Sequence, residues 1–378
     1  MSGRPRIVLE ALAVHGRPTG VAGAAVDLVT ALAARDRGFD FVVVAAGAGP
    51  FAAVAGRPGW RVVVPPGVAT GAGRALFRRR GLAELCRREG AAALHALQPV
   101  APARAPCPLL VTVHDVAWRD LPGAVPWRRR LYYDLTIPAG LRRAAFVLAS
   151  SEATAALLAR HFPAVAARVR VTPLGTPAWV RDTAPGPLPP GARPFFLFVG
   201  TREPRKNLPR LLDAYADLLA ARGGDAPDLV LAGPDGWQGR PLRRSLGRPE
   251  LRGRVRVEGW CDRPALKALY AAARALVFPS LQEGFGLPVL EAMACGLPVL
   301  TSAGGALAEV AGDQALLVDP RDRAALTAAL GRLAADDALC ARLRAGGPAR
   351  AALWTWERTA DLTTEAYALA TAVPAPRK

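Results

Sequence analysis

Two carboxylates, two cations and a pair of glycines hold most of the chemistry that this sequence offers. The carboxylates are Glu283 and Glu291, eight positions apart in the stretch LVFPSLQEGFGLPVLEAMACGLPVLT, residues 276–301. An apolar run opens this stretch, the loop Glu283-Gly284-Phe285-Gly286 follows, and a helical pattern then runs into a second apolar run. Pro288 suits the first turn of that helix, where its missing N–H costs nothing. Gly296 suits the stop, with Pro298 just beyond it. The predicted order is strand, loop, helix, strand, which sets the glycine loop at a helix N-terminus. There the glycines let backbone N–H groups approach a ligand closely, and the helix dipole favours an anion. Two carboxylates would repel a phosphate at that spot. They are therefore assigned to hydroxyl groups, such as those of a ribose and a hexose.

The cations are Arg205 and Lys206, in Val199-Gly200-Thr201-Arg202-Glu203-Pro204-Arg205-Lys206-Asn207. At the start of a helix that follows a strand, they would neutralise a diphosphate. Two further stretches follow strands in the first half of the chain. His15-Gly16-Arg17-Pro18-Thr19-Gly20-Val21 lacks the GxGxxG spacing, which argues against a nicotinamide dehydrogenase. It reads either as a ligand-approach loop or as a plain tight turn. Thr112-Val113-His114-Asp115 ends an apolar run and points His114 toward a cleft, as a catalytic or a structural histidine.

The elements that must carry these residues alternate as short β-branched runs and longer helical patterns, the mark of parallel sheets flanked by helices. Strands are predicted at 7–13, 41–45, 61–64, 109–114, 146–149 and 169–173, with helices near 24–35, 75–89, 127–142 and 152–160. The stretch TAPGPLPPGARP (183–194) supports neither helix nor central strand. A second series follows it: a strand at 195–199, a helix at 208–220, and strands at 229–232, 255–258 and 275–278. Four parts are expected: residues 1–182 as an N-terminal domain, 183–194 as a linker, 195–349 as a second domain, and 350–378 as a C-terminal helix and tail that crosses back to the first. The closing helix is predicted at 350–371. In such sheets ligands bind at the carboxyl ends of the strands.

The length of 378 residues suits two domains, and 51% hydrophobic with 21% charged residues describes a globular chain. The net charge of +18 rests on arginine, since only Lys206, Lys267 and Lys378 are lysines. Two origins fit: a GC-rich genome, or a real attraction to phosphate or anionic lipid. Nucleic acid is not expected as a partner. Five scattered cysteines, without a CxxC, fit unpaired thiols in a reducing compartment. No metal-ligand spacing occurs among the histidines and cysteines. Residues 42–55, broken by Gly47, Gly49 and Pro50, are too short and interrupted to span a bilayer. With no leader in view, a cytoplasmic protein is expected, peripheral at most to the inner face of the membrane. Arg78-Arg79-Arg80 and Trp127-Arg128-Arg129-Arg130, with Tyr132-Tyr133, are the candidate lipid-facing residues.

The run from Glu283 through Glu291, followed by Ala292-Met293-Ala294-Cys295-Gly296-Leu297-Pro298-Val299, resembles the Glu-x7-Glu signature of retaining glycosyltransferase family 4. Val199–Asn207 resembles that family's donor-phosphate segment, and the likeness extends over nearly all of residues 195–320. In the first half it rests on Thr19-Gly20-Val21, His114-Asp115 and Ser150-Ser151-Glu152. The resemblance implies the α/β GT-B fold, two Rossmann-like domains facing across a cleft. It also implies transfer of a hexose with retention, without a metal or cofactor, from a nucleotide-diphosphate sugar bound in the second domain. Arg205 and Lys206 would hold the diphosphate, and Gly200 would line it. Glu291 would hold the ribose, and Glu283 the transferred sugar. The amides of Phe285, Gly286 and Leu287, after Gly284, would cap the distal phosphate. Gly20 would let the N-terminal loop approach, and His114 would line the sugar pocket. Thr201 stands where some members have arginine, which leaves Arg202 or Arg205 as the phosphate partner. The Glu-Pro-Arg-Lys-Asn form favours mannose from GDP-mannose over a UDP-sugar. Acceptors in view are saccharides, lipid-linked or free, and small molecules. The alternative is a catalytically degenerate partner subunit, or a nucleotide- or membrane-binding protein.

Overall fold

The computed structural model describes residues 3–16, 20–102, 104–121, 123–182, 193–237 and 239–372. The chain divides into two compact α/β units, each with one parallel sheet. Unit 1 comprises Met1–Arg119, Arg128–Gly175 and Thr355–Lys378, and unit 2 comprises Asp120–Trp127 and Thr176–Trp354. Together they form the expected pair of Rossmann-like, parallel-sheet domains of the GT-B fold.

Unit 1 holds β1 (Arg6–Ala11), β2 (Asp40–Ala45), β3 (Trp60–Val63), β4 (Ala91–Ala96), β5 (Leu109–Val113), β6 (Phe146–Ala149) and β7 (Val169–Val171). Their order is β3-β2-β1-β4-β5-β6-β7, and every pairing is parallel. Strands such as β2 and β5 are buried along their whole length, as expected where helices cover both sheet faces. The order reverses between β1 and β4, which opens a crevice at their carboxyl ends.

Unit 2 repeats the plan with β8 (Phe195–Val199), β9 (Asp228–Ala232), β10 (Val255–Val257), β11 (Ala275–Phe278), β12 (Val299–Ser302) and β13 (Leu316–Val318). The order is β10-β9-β8-β11-β12-β13, again parallel throughout. Its reversal point lies between β8 and β11.

The structure departs from the sequence-based expectations in several places. The strand β4 was not predicted, because its run AAALHA is built on the strongest helix former. Contact with β1 and β5 on either side overrides that preference. The helix expected at 75–89 is instead two α-helical stretches, Gly71–Leu76 and Leu82–Arg88, joined by a π-helical turn at Phe77–Gly81. The closing helix expected at 350–371 is two helices, Asp337–Ala352 and Trp356–Ala372. Between them the Trp354 carbonyl accepts from the Thr176 N–H at 2.9 Å, and the Thr355 hydroxyl caps the second helix through the Arg358 N–H. Finally, Asp120–Trp127 groups with unit 2, where the Trp237 indole donates to the Ala124 carbonyl at 3.1 Å. Of the expected linker, residues 183–192 lie outside the described residues, as does Thr19.

The helix Trp356–Ala372 belongs to unit 1 and buries Ala360, Ala366, Tyr367 and Ala370 in its core. Tyr367 also anchors the sheet. Its hydroxyl meets His95 Nδ1 of β4 at 2.7 Å, and His95 Nε2 meets the Thr112 hydroxyl of β5 at 2.7 Å. Burial, followed by the nearby charge of His114, lowers the His95 pKa to about 3, so this ring is neutral.

Candidate active site

The two segments singled out for chemistry leave adjacent strands. β8 and β11 pair in parallel, Ala275 with Phe196 and Leu276 with Leu197, so their carboxyl ends lie side by side. Val199–Asn207 follows β8 and the Glu283 loop follows β11, both at the reversal point of unit 2. Gly200 has φ 151°, a conformation that side-chain-bearing residues rarely adopt, and Lys206 Cε lies 3.5 Å from where a Cβ would stand. Pro204–Lys206 form a single 3₁₀ turn, and Asn207 then takes the left-handed conformation (φ 61°) before the helix Leu208–Arg222. The Asn207 side-chain amide donates to the carbonyls of Pro279 at 3.2 Å and Pro320 at 2.7 Å. That clamp ties the loop after β8 to the loops after β11 and β13.

The turn delivers Arg205 and Lys206 onto Glu283. Lys206 Nζ donates to Glu283 Oε1 at 2.6 Å, and Arg205 pairs with Glu283 Oε2. Arg205 also pairs with Glu203 and donates to the Gln282 carbonyl at 3.3 Å. Lys206 Nζ lies 4.7 Å from the ring centroid of Phe278, the last residue of β11. Only 7% of the Lys206 side chain and 9% of the Glu283 side chain are exposed, so these charges interact in a poorly screened setting. Burial alone would raise the Glu283 pKa. The charges of Arg205 and Lys206 outweigh it and bring the carboxyl down to about 2. Burial and the neighbouring Arg205 lower the Lys206 pKa, while Glu283 and Glu203 oppose them. The ammonium is held on the carboxylates at the expense of its hydration.

Placing Glu283 on both cations is a result the sequence did not foretell. The carboxylate was expected to face hydroxyls only. A carboxylate offers about four lone-pair sites, so the ion pairs leave further acceptor capacity on its two oxygens. Arg202 leaves the list of phosphate partners for a physical reason. Its guanidinium pairs with Asp235 and donates to the carbonyls of Gly233 at 2.6 Å and Glu258 at 3.3 Å. It holds the loop together.

Beyond Glu283 the chain enters the helix Leu287–Ala294. Gly286 precedes it with φ 109°, and a Cβ there would lie 2.6 Å from Leu307 Cδ2. Pro288 occupies the first turn and no side chain caps this N-terminus. Its amides form an anion-favouring end. Phe285 directs its ring inward, edge-on to Trp354 at 5.3 Å, so only its backbone can serve a ligand. Glu291, on the helix, accepts from the Tyr270 hydroxyl at 2.8 Å. Burial, then the Glu291 charge, raise the Tyr270 pKa well above the ordinary phenol value.

Glu203, Asn207 and Tyr270 were missed as site-building residues. Asn207, directly before Leu208-Pro209, did carry a helix-start signal.

Gly20 and His114 lie in unit 1. Gly20 is exposed and opens the helix Gly20–Ala33. His114 follows β5, with its carbonyl accepting from the Ser150 hydroxyl at 2.8 Å. Its Nε2 is buried and has no partner among the described residues. Burial lowers its pKa against the opposing effects of Asp115 and a hydrogen bond with the Leu97 backbone, which favours the neutral ring. A buried ring nitrogen without a partner is costly, unlike the fully bonded His95.

Sequence and structure comparisons agree with this architecture. The family described as Glycosyl transferases group 1 matches residues 181–350, and Glycosyltransferase Family 4 matches residues 18–178. The chain is 34% identical over 267 residues to the O-antigen chain mannosyltransferase B of Escherichia coli, covering 69% of this chain and 70% of that protein. Sucrose-phosphate synthase from Thermosynechococcus elongatus has the same fold, with a TM-score of 0.75 at 24% identity over 97% of this chain and 99% of that one. HepE of Anabaena, in complex with UDP and glucose, superposes with a TM-score of 0.71 at 19% identity over 97% of this chain and 100% of that one. The family matches and the relative make this a glycosyltransferase, and the two parallel-sheet units give it the GT-B fold. The chain belongs to the group 1, family 4 glycosyltransferases.

Proposed function

We propose that this glycosyltransferase moves a hexose, mannose in the favoured reading, from a nucleotide-diphosphate sugar to a saccharide, lipid-linked or small-molecule acceptor. Transfer retains the anomeric configuration and uses no metal. One observation carries the reading: Arg205 and Lys206 converge on Glu283 beside the uncapped N-terminus of the helix Leu287–Ala294. Charge builds on the leaving diphosphate as the glycosidic bond breaks, and fixed cations with helix amides stabilise it where it forms. Glu283, already ionised, accepts from a sugar hydroxyl while keeping the two cations in place. Glu291, set by Tyr270, takes the ribose hydroxyls. The amides of Phe285, Gly286 and Leu287, following Gly284, cap the distal phosphate, and Gly200 lets it approach the loop after β8. With no carboxylate in the motif assigned as a nucleophile, departure and attack take place on one face, and the leaving phosphate accepts the acceptor's proton.

Mannose is supported by the mannosyltransferase relative and by the Glu-Pro-Arg-Lys-Asn segment. GDP-mannose is favoured, with a UDP-sugar the competing donor. Peripheral contact with an anionic membrane at the cytoplasmic face completes the reading. Among the described residues no helix is long and apolar enough to cross a bilayer. The test is a matrix of nucleotide sugars against lipid-linked saccharides, free oligosaccharides and small hydroxylated acceptors, followed by release of the nucleoside diphosphate. GDP release from GDP-mannose that depends on acceptor is expected. Release from UDP-sugars alone would reject mannose, and no acceptor-dependent release from any donor would reject the transfer.

A further inference from the structure

Two thiols that the transfer chemistry does not use meet in unit 1. Cys86 lies in the helix Leu82–Arg88, and Gly90, in the left-handed conformation at φ 58°, turns the chain from that helix into β4. Cys107 and Pro108 lead into β5, and the Leu94 N–H of β4 donates to the Pro108 carbonyl at 2.9 Å. Because β4 and β5 pair in parallel, the fold brings both cysteines to the amino ends of neighbouring strands. There the two side chains share a hydrogen bond. Cys86 is 1% exposed and Cys107 6%. Ligands of such a sheet bind at its other edge, where the strands end.

A buried thiol usually acts as a small apolar side chain. Two in contact differ, because a thiolate beside a second thiol is what a disulfide needs. The hydrogen bond makes the two unequal. It holds the Cys107 thiol below its ordinary pKa, against the effect of burial, and it joins burial in pushing Cys86 up. Cys107 is therefore the thiolate former, and Cys86 keeps its proton. Cys261 and Cys340, in unit 2, donate instead to backbone carbonyls, of Gly259 at 3.7 Å and Leu333 at 3.5 Å.

We propose that Cys86 and Cys107 are a reversible oxidation site, in which a peroxide closes a disulfide that staples the helix Leu82–Arg88 to the entry of β5. The Cys107 thiolate attacks one peroxide oxygen, the O–O bond breaks, and the departing hydroxide takes a proton to become water. Cys86 then attacks the sulfenic sulfur, the S–O bond breaks, and hydroxide leaves as water with the Cys86 proton. Two thiols and one hydrogen peroxide thus give a disulfide and two waters. A dithiol reductant returns both thiols. The ring so closed runs from residue 86 to residue 107 and contains β4 and Gln98, one of the donors to Glu10. In a reducing compartment a pair of this kind stays open until an oxidant arrives.

The test treats the full chain with hydrogen peroxide, blocks the remaining thiols and digests with trypsin in the absence of reductant. The peptides Gly81–Arg87 and Ala105–Arg119 should appear joined, and dithiothreitol should separate them. The melting temperature of the oxidised protein should rise by about 6–12 °C and fall back on reduction. In Cys86→Ala, Cys107 should accumulate as the sulfenic acid and take a dimedone label, whereas in Cys107→Ala, Cys86 should take none. Sulfinic or sulfonic acid on either cysteine without the joined peptides, or Cys107 joined to a cysteine of unit 2, would overturn the pairing. Joined peptides with an unchanged melting temperature would overturn the staple. A labelled Cys86 with an unlabelled Cys107 would overturn the order of attack.

Discussion

The two sheets reverse their strand order in the same way, and each sets a buried carboxylate near the carboxyl end of a reversal strand, but the two carboxylates differ in kind. In unit 1 it is Glu10, on β1 itself and fully buried. It accepts from the Leu12 N–H at 2.9 Å, from Arg78 at 3.0 Å and from Gln98 at 3.3 Å. One cation and three kinds of donor close around it, as in a structural clamp. In unit 2 it is Glu283, on a loop, with Arg205 and Lys206 on separate oxygens and an uncapped helix terminus next in the chain. Glu203 also pairs with Arg205, so two cations and two carboxylates meet at the end of the strand. The same topology thus builds a rivet in one unit and a charge cluster beside an uncapped helix terminus in the other, and that terminus marks which is which.

The sharpest break in the comparison comes from removing each carboxylate. Glu10→Ala leaves the Arg78 guanidinium in a confined pocket without its partner, and the loss should be about 3–5 kcal/mol of stability. Denaturant unfolding should show it as an early transition, whereas a midpoint like that of the unaltered protein would mean that Glu10 is no clamp. In unit 2 the telling loss is in rate, although Glu283→Ala should also lower stability. Lys206→Ala and Glu283→Ala should each cut transfer sharply with the fold retained by circular dichroism, and the lysine change should cost about 2.7–4 kcal/mol of activation free energy, about a hundred- to a thousandfold in rate. Near-normal turnover in both would end the link between this charge cluster and catalysis.

A pH titration sharpens the contrast. Glu283 has a folded pKa of about 2, below the ordinary carboxylate value, so its ion pairs contribute fully above that ordinary value. The contribution is lost as pH falls through the folded pKa, and it is of order 3 kcal/mol. Glu283→Gln should therefore flatten the acid limb of the stability profile below about pH 4.5. An unchanged limb would detach Glu283 from its cations. The smallest effect is expected at Tyr270→Phe, which removes the hydroxyl that sets Glu291. A loss of about 1 kcal/mol, felt in donor KM more than in kcat, should appear in steady-state kinetics. Equal effects on both constants would place Tyr270 elsewhere in the reaction.

How much of this was legible in the residues follows the same division. The unit 2 site is local: strand, glycine loop, proline-started helix and the Arg-Lys turn are each written within a few positions, and β8 and β11 lie where the apolar runs set them. What joins them is not local. Asn207 is tied to Pro279 and Pro320, more than seventy positions away, and no short-range signal announces such a bond. Arg202 and Arg205 look alike in the chain, and only the carbonyls of Gly233 and Glu258 show that Arg202 is structural. The failures elsewhere in the chain share one cause. The alanine-rich β4, the π turn that delivers Arg78, and the break at Leu353–Thr355 all depend on partners supplied by the fold, which outweigh local preference. His95 and His114 were equally scattered in sequence. One proved fully bonded within the sheet, and the other keeps a buried nitrogen without a partner among the described residues.

The most direct test is calorimetric titration with a nucleoside diphosphate and with the matching nucleoside, for the unaltered protein and for Arg205→Ala, Lys206→Ala together. The account predicts that the double variant loses the diphosphate's advantage over the nucleoside, a drop of about a hundredfold or more, while nucleoside affinity holds. Undiminished diphosphate binding by a folded double variant would contradict it.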